Sequence, residues 1–265
     1  MNRLIACGLA LLAAGWSGAA ELATPDPLLS HVSFHIDFDG TLDVQRARGN
    51  PRPRGHPLQA ADYAFVPGVS GRAIVNISTN TRCWMFDQRD NIDFTRPGTV
   101  VFWSRIRNRE ARMPFTGGGF FLSSYRSTGY LTLQGAALDG QTGLWTLHLY
   151  FIGFEGMGRP VAVARNLDWP EETWIQLALA WSARDYTIYF NGEPAGGATL
   201  PRRMRQAELS GSFEIVLPRA GGVAMDDFKV YDIRLTPEQI RNLYRGTCKT
   251  PRAHNEISTQ GMNGK

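Results

Sequence analysis

GVAMDDFKVYDIRLTPEQIRNLYR, residues 222–245, decides the fold. It opens as a strand: Val223, Met225, Phe228, Val230 and Tyr231 sit among polar positions in a β-branched and aromatic run. The period then changes. Thr236 suits an N-cap, Pro237 suits a first helical turn, and Glu238 and Gln239 follow. Ile240, Leu243 and Tyr244 recur at spacings of three and four, which places them on one helical face, and Gly246 is expected to end the helix.

Upstream, short apolar or alternating runs follow one another with turn residues between them. They are Phe34 to Phe38, Arg72 to Ile77, Cys83 to Phe86, Thr99 to Ile106, Gly119 to Ser124, Tyr130 to Gln134 and Leu144 to Phe151. Val161 to Ala164, Trp174 to Trp181, Tyr186 to Phe190, Phe213 to Leu217 and Val223 to Tyr231 complete the set. Asn191-Gly192 marks a tight hairpin turn. Many short strands and one late helix predict an all-β fold, a two-sheet antiparallel jelly-roll sandwich with one short C-terminal helix.

Residues 1–20 read as a secretory signal peptide: Arg3, then an apolar core, then small residues before the expected cleavage. Leu4-Ile5-Ala6-Cys7 also has the form of a lipoprotein processing box. Residues 21–249 are predicted to form one domain, and 250–265 a flexible polar tail. Gln45 to Pro57, with four arginines and three prolines, reads as an extended surface insertion. The chain carries 28 basic and 24 acidic residues, a net charge of +4. That excess is too small to argue for nucleic acid. The signal segment leads to the expectation of a secreted or periplasmic location, and no later segment has the 18 consecutive apolar residues of a membrane-spanning helix. Cys83 and Cys248 remain after the signal, and an even count in an oxidising compartment predicts that they pair.

Several blocks share a family likeness. Asp37-Phe38-Asp39-Gly40-Thr41-Leu42-Asp43, Pro67 to Ala73, Gly98 to Trp103, Trp174 to Trp181, Tyr189 to Glu193 and the closing strand–helix phrase stand in one order. Together they resemble the laminin-G-like, concanavalin A-like lectin/glucanase superfamily as found in secreted bacterial proteins. One departure is Gln176, where many relatives carry His. The resemblance implies a jelly roll and leaves function open, because the fold carries lectins, glycanases, lyases and inert spacers.

Glycanases of this superfamily place three acids on one strand as ExDxxE or ExDxE, and alginate-lyase relatives carry RxExR and QIH strands; none of these occurs here. The five histidines are scattered without metal spacing. Members that hold a structural calcium bring an early loop to the late DD strand. By that resemblance Asp39 and Asp226, with Asp43 third, are the metal candidates; the other reading is that Asp39 shapes a turn and Asp226 caps backbone amides. Trp84, Tyr125 and Trp169 lie near strand ends and are the candidates for stacking on a sugar ring. The expected function is non-catalytic recognition outside the cytoplasm of a glycan or a cell-surface protein. The rivals are a divergent glycan hydrolase or lyase and a structural module of the cell envelope.

Overall fold

A computed structural model describes residues 27–54, 59–80, 82–107, 119–123, 130–137, 144–152, 162–208, 211–217 and 221–248. The signal segment, Tyr125 and the C-terminal tail lie outside the described residues. The strands are β1 (Val32–Ile36), β2 (Arg46–Ala47), β3 (Tyr63–Pro67), β4 (Arg72–Asn76), β5 (Arg82–Asp87), β6 (Gly98–Ile106), β7 (Gly119–Ser123) and β8 (Tyr130–Ala137). Then come β9 (Leu144–Ile152), β10 (Ala162–Asp168), β11 (Trp174–Trp181), β12 (Asp185–Phe190), β13 (Glu193–Thr199), β14 (Ser212–Leu217), β15 (Val223–Tyr231) and the helix α1 (Pro237–Cys248). One sheet runs β13-β12-β11-β6-β15-β1-β2, with β4 also paired to β15 and β3 to β4. The other runs β10-β9-β8-β7-β14-β5. The pairings are antiparallel, as a jelly-roll sandwich requires.

Alternation builds the core. Leu131, Leu133, Leu147, Leu149, Phe151, Phe213 and Ile215 from one sheet meet Phe34, Phe102, Ile175, Leu177, Leu179 and Phe228 from the other. The outer face of the first sheet is also covered. Val101, Ala178, Ala180 and Tyr189 pack beneath Ile240, with Leu243 alongside. This second layer explains why β11 is apolar nearly throughout: both of its faces are buried.

Helix α1 starts as its sequence dictates. The Gln239 amide donates to Thr236 Oγ1 (3.2 Å) and the Thr236 amide to Gln239 Oε1 (2.8 Å), a reciprocal capping box. The helix does not stop at Gly246 but runs on to Cys248, with Thr247 Oγ1 bonded to the Leu243 carbonyl (3.1 Å). Asn191 and Gly192, at φ of 52° and 80°, make the predicted hairpin turn. That turn is held beneath α1 by a two-pronged Arg241–Glu193 ion pair (2.6 and 2.7 Å). Gln176 sits in a central strand and is 2% exposed. The described part of the arginine-rich segment, residues 45–54, is docked on the sheets: Arg46–Ala47 pairs with β1, and the Arg54 amide donates to the Met85 carbonyl (2.7 Å) on β5.

Candidate functional site

The expected sugar-stacking tryptophans are core residues. Trp84 is 2% exposed and stacks on Phe38 (5.8 Å, 9°); Trp169 is fully buried, 5.4 Å from Trp145. The physical reason is strand parity. Trp84 shares a face with Phe86, and both point between the sheets. Tyr125 lies outside the described residues.

The two main metal candidates do converge, on the β3–β4 turn. The Arg72 amide donates to Asp39 Oδ1 (2.6 Å), while the Val69 and Ser70 amides donate to Asp226 Oδ2 (2.8 and 3.3 Å). Glycine is required between these carboxylates. A Cβ on Gly71, at φ +61°, would lie 1.7 Å from Asp39 Oδ1, and one on Gly68 would lie 2.5 Å from Asp226 Oδ2. Asp227 sits in a β-bulge at φ +49°, between His35 Nε2 (2.8 Å) and Lys229 Nζ (2.7 Å). Burial pushes Asp227 up, but His35 and Lys229 outweigh it and hold the carboxyl below its ordinary range. Asp226 goes the other way. It is 1% exposed, its Oδ1 has no partner among the described residues, and burial pushes its carboxyl up to about 8.

As a calcium cage this set falls short. Asp43 is not among the residues lining the cavity of about 280 Å3 between Asp39 and Asp226. Asp39 and Asp226 each spend an oxygen on backbone amides, and Asp227 is engaged by His35 and Lys229. Among the described residues no group of three or more His, Cys, Asp or Glu side chains is placed to hold a metal ion, whereas calcium takes about six to eight oxygens.

Cys83 is a free thiol, so the expected bridge to Cys248 is not formed. Cys83 lies exposed on β5, an edge strand of the six-stranded sheet, while Cys248 ends the helix that packs on the outer face of the other sheet. Partial burial and then the neighbouring Glu214 carboxylate push the thiol up to about 11.

The face that remains for function is the outer side of the six-stranded sheet. On β9, Leu147, Leu149 and Phe151 point into the core, so Thr146, His148 and Tyr150 face outward. His148 and Tyr150, both half-buried, stack with centroids 5.3 Å apart and planes within 6°. Burial, and then Arg165 on β10, lower the His148 pKa, which favours the neutral ring. Thr132 lies directly across from Tyr150 on β8. The Thr132 and Thr146 hydroxyls are buried with no hydrogen-bond partner among the described residues. The row continues through Leu122 on β7 to Glu214 on β14 and Met85 on β5. Burial raises the Glu214 pKa. Beside His148, β10 bulges between Ala164 and Leu167, which leaves Arg165 and Asn166 exposed, Asn166 at φ +58°. The face thus combines a flat aromatic pair, half-buried, with the exposed polar side chains of Arg165 and Asn166. That is chemistry for hydrogen-bonding a polyhydroxylated ligand. Sequence reasoning passed over His148 and Tyr150, although the alternation of TLHLYF places both on the polar side.

Solved structures with this arrangement of sheets include domain 4 of AbnA, a GH43 extracellular arabinanase from Geobacillus stearothermophilus, in complex with arabinotriose. It is 18% identical, with a TM-score of 0.59, over 80% of this chain and 98% of that domain. The binding domain of Paraclostridial Mosquitocidal Protein 1 is 14% identical with a TM-score of 0.54 over 82% of this chain. The receptor binding domain of botulinum neurotoxin mosaic serotype C/D is 14% identical with a TM-score of 0.53 over 83%. The chain spans about half the length of these two toxin domains, 52% and 51%. At such identities the likeness shows the fold. A search of curated proteins returned no match. Residues 84–241, more than half of the chain, match the sequence profile of the concanavalin A-like lectin/glucanases superfamily. With the two antiparallel sheets and the closing strand–helix unit in place, this chain belongs to the concanavalin A-like lectin/glucanase superfamily.

Proposed function

We propose that this chain is a non-catalytic carbohydrate-recognition domain that works outside the cytoplasm, in secreted or periplasmic form. The observation that carries this reading is the His148–Tyr150 pair on the outer face of the six-stranded sheet, beside the exposed Arg165 and Asn166 of the β10 bulge. A bare tryptophan platform is missing from the described residues: Trp84, Trp103, Trp145, Trp169 and Trp181 are buried, and Trp174 lies under the Arg105 guanidinium at 4.7 Å. Recognition therefore works through hydrogen-bonding edges, with the phenol oxygen and imidazole nitrogens meeting sugar hydroxyls. The solved domain that matches over 98% of its length held arabinotriose, which makes arabino-oligosaccharides the first ligands to try.

Calorimetric titration of the mature protein with arabinotriose, and a glycan array run with and without calcium, test the proposal. His148→Ala and Tyr150→Ala should each weaken binding at least tenfold, a loss of about 1.4 kcal/mol. Absence of binding to every glycan on the array, or binding that both variants leave unchanged, would overturn it.

A further inference from the structure

We infer that the end of β5 and the turn after it form a second saccharide subsite, one that takes a neutral vicinal diol through the side-chain amide of Gln88. This rests on the carbohydrate reading above. The motivating fact is an anomaly in the core. Trp84 and Phe86 point between the sheets, and the period of two carries Gln88 into the same inward series. Gln88 is 2% exposed, yet neither Nε2 nor Oε1 has a hydrogen-bond partner among the described residues. A buried unsatisfied donor or acceptor costs roughly 1–3 kcal/mol, so an amide orphaned at both ends calls for an explanation beyond the fold.

The backbone around it is fixed. The Gln88 amide donates to the Gly211 carbonyl (2.8 Å), and its own carbonyl accepts from the Asn91 and Ile92 amides (3.1 and 3.0 Å). Asp90, at φ +63°, turns the chain between them. Gln88 lines a cavity of about 370 Å3, within the range of about 300–1,000 Å3 for small-molecule sites. Arg54, Arg89, Asp90 and Gln206 also line it.

The lining chemistry selects the ligand class. The Arg54 and Arg89 guanidinium groups and the Asp90 carboxylate are exposed and form no ion pair among the described residues. The other two acids in the lining are engaged: Asp87 accepts the Arg89 amide (3.1 Å), and Asp93 accepts the Thr95 amide (2.8 Å) and hydroxyl (2.6 Å). Two guanidiniums stand against three carboxylates, Asp87, Asp90 and Asp93, so charges of both signs nearly balance around the uncharged amide. They offer alternating donors and acceptors, which suits sugar hydroxyls, since each hydroxyl both donates and accepts. The planar amide carries one donor group and one acceptor side by side, the pattern that two adjacent hydroxyls complement. The subsite is separate from the His148–Tyr150 face. From β9 to β5 is four strand spacings of about 4.8 Å, roughly 19 Å, so one protein molecule would hold two points of a chain or two chains.

The test is a titration of 15N-labelled full-length mature protein with L-arabinose, D-galactose and D-glucose, followed by side-chain amide resonances. The Gln88 pair is assigned by its disappearance in Gln88→Leu. Neutral sugars should shift the Gln88 amide and the Asp90 backbone resonance. The dissociation constant for those shifts should rise at least fivefold in Arg89→Ala and in Asp90→Ala, both surface changes that spare the core. His148→Ala should leave it unmoved. If sugars shift only resonances that His148→Ala removes, the subsite is refuted and the function stands. If Gln88 responds to D-glucuronate and to no neutral sugar, the assignment to a neutral diol fails. If no glycan moves either set, the functional reading itself falls. If Gln88→Leu melts higher and keeps every sugar-induced shift of the Asp90 resonance, the Gln88 amide takes no part in binding and the inference is overturned.

Discussion

Asp226→Asn offers the sharpest quantitative check on the carboxylate clamp. The amide keeps an oxygen for the Val69 and Ser70 N–H groups and removes the titration. In the wild type, burial lifts the Asp226 carboxyl to about 8, against about 3.9 in an unfolded chain. A folded-state pKa above the unfolded value means that the native state binds the extra proton. The stabilisation is fully present below about pH 4 and drains away as pH rises through 8. Each pH unit in that window is worth about 1.36 kcal/mol, so moving from pH 5 to pH 8 should cost the wild type up to about 4 kcal/mol through this group. Relaxation and water entry will lower that figure, and it is an upper bound. Asp226→Asn has no such slope. The two proteins should be close in stability at pH 5, and the variant should be the more stable one by pH 8. Urea denaturation at pH 5, 6, 7 and 8 in the presence of chelator reads the difference directly. A wild-type-minus-variant difference that stays flat across the range would refute the reasoning. A repeat series in millimolar calcium addresses the metal: a slope seen in chelator and erased by calcium would mean that a cation holds the carboxylate ionised.

Three further outcomes are expected. Gly71→Ala should lower stability by more than about 2 kcal/mol, because the new Cβ meets Asp39 Oδ1 at 1.7 Å in a left-handed conformation; a melting temperature within one degree of wild type would contradict the clamp. Intact mass of the unreduced protein should show no loss of two hydrogens, and Cys83 should alkylate slowly at pH 8, where a thiol titrating at about 11 is about one part in a thousand thiolate; a Cys83–Cys248 peptide bridge in a digest would overturn this. Laminarin and lichenan should survive incubation uncut, because a hydrolase needs two cooperating carboxyls; turnover abolished by Glu214→Gln would instead make the raised carboxyl a general acid.

The fold was legible because a period of two survives in the strands and a period near 3.6 survives in α1. A strand that lacks that signal is not legible in the sequence. Glu193–Thr199 reads EPAGGAT, poor in β-formers, yet Gly196 is needed there because a Cβ would lie 2.6 Å from the Val163 carbonyl of the facing sheet. The disulfide failed for a different reason: export and an even count say nothing about which sheet each cysteine joins. Motifs that looked like chemistry were architecture. Asp39 and Asp226 are the two jaws of one turn, and the glycines between them are the space those carboxylates need.

For the candidate sites, parity was the unused information. Trp84 with Phe86, and Trp169 two places after Leu167, are inward positions by simple counting, which removes them as sugar platforms. The same counting along Thr146, His148 and Tyr150 places polar and aromatic groups outward against Leu147, Leu149 and Phe151. It is at Gln88 that counting says the most. An inward series of Trp84 and Phe86 asks for hydrocarbon at the next step, and the chain supplies an amide with neither end bonded among the described residues. Folding alone would favour leucine at that position, since leucine fills similar volume without a buried unsatisfied group. A chain that keeps glutamine there departs from its own pattern at one residue, and such departures are expected where function sets the residue and folding does not.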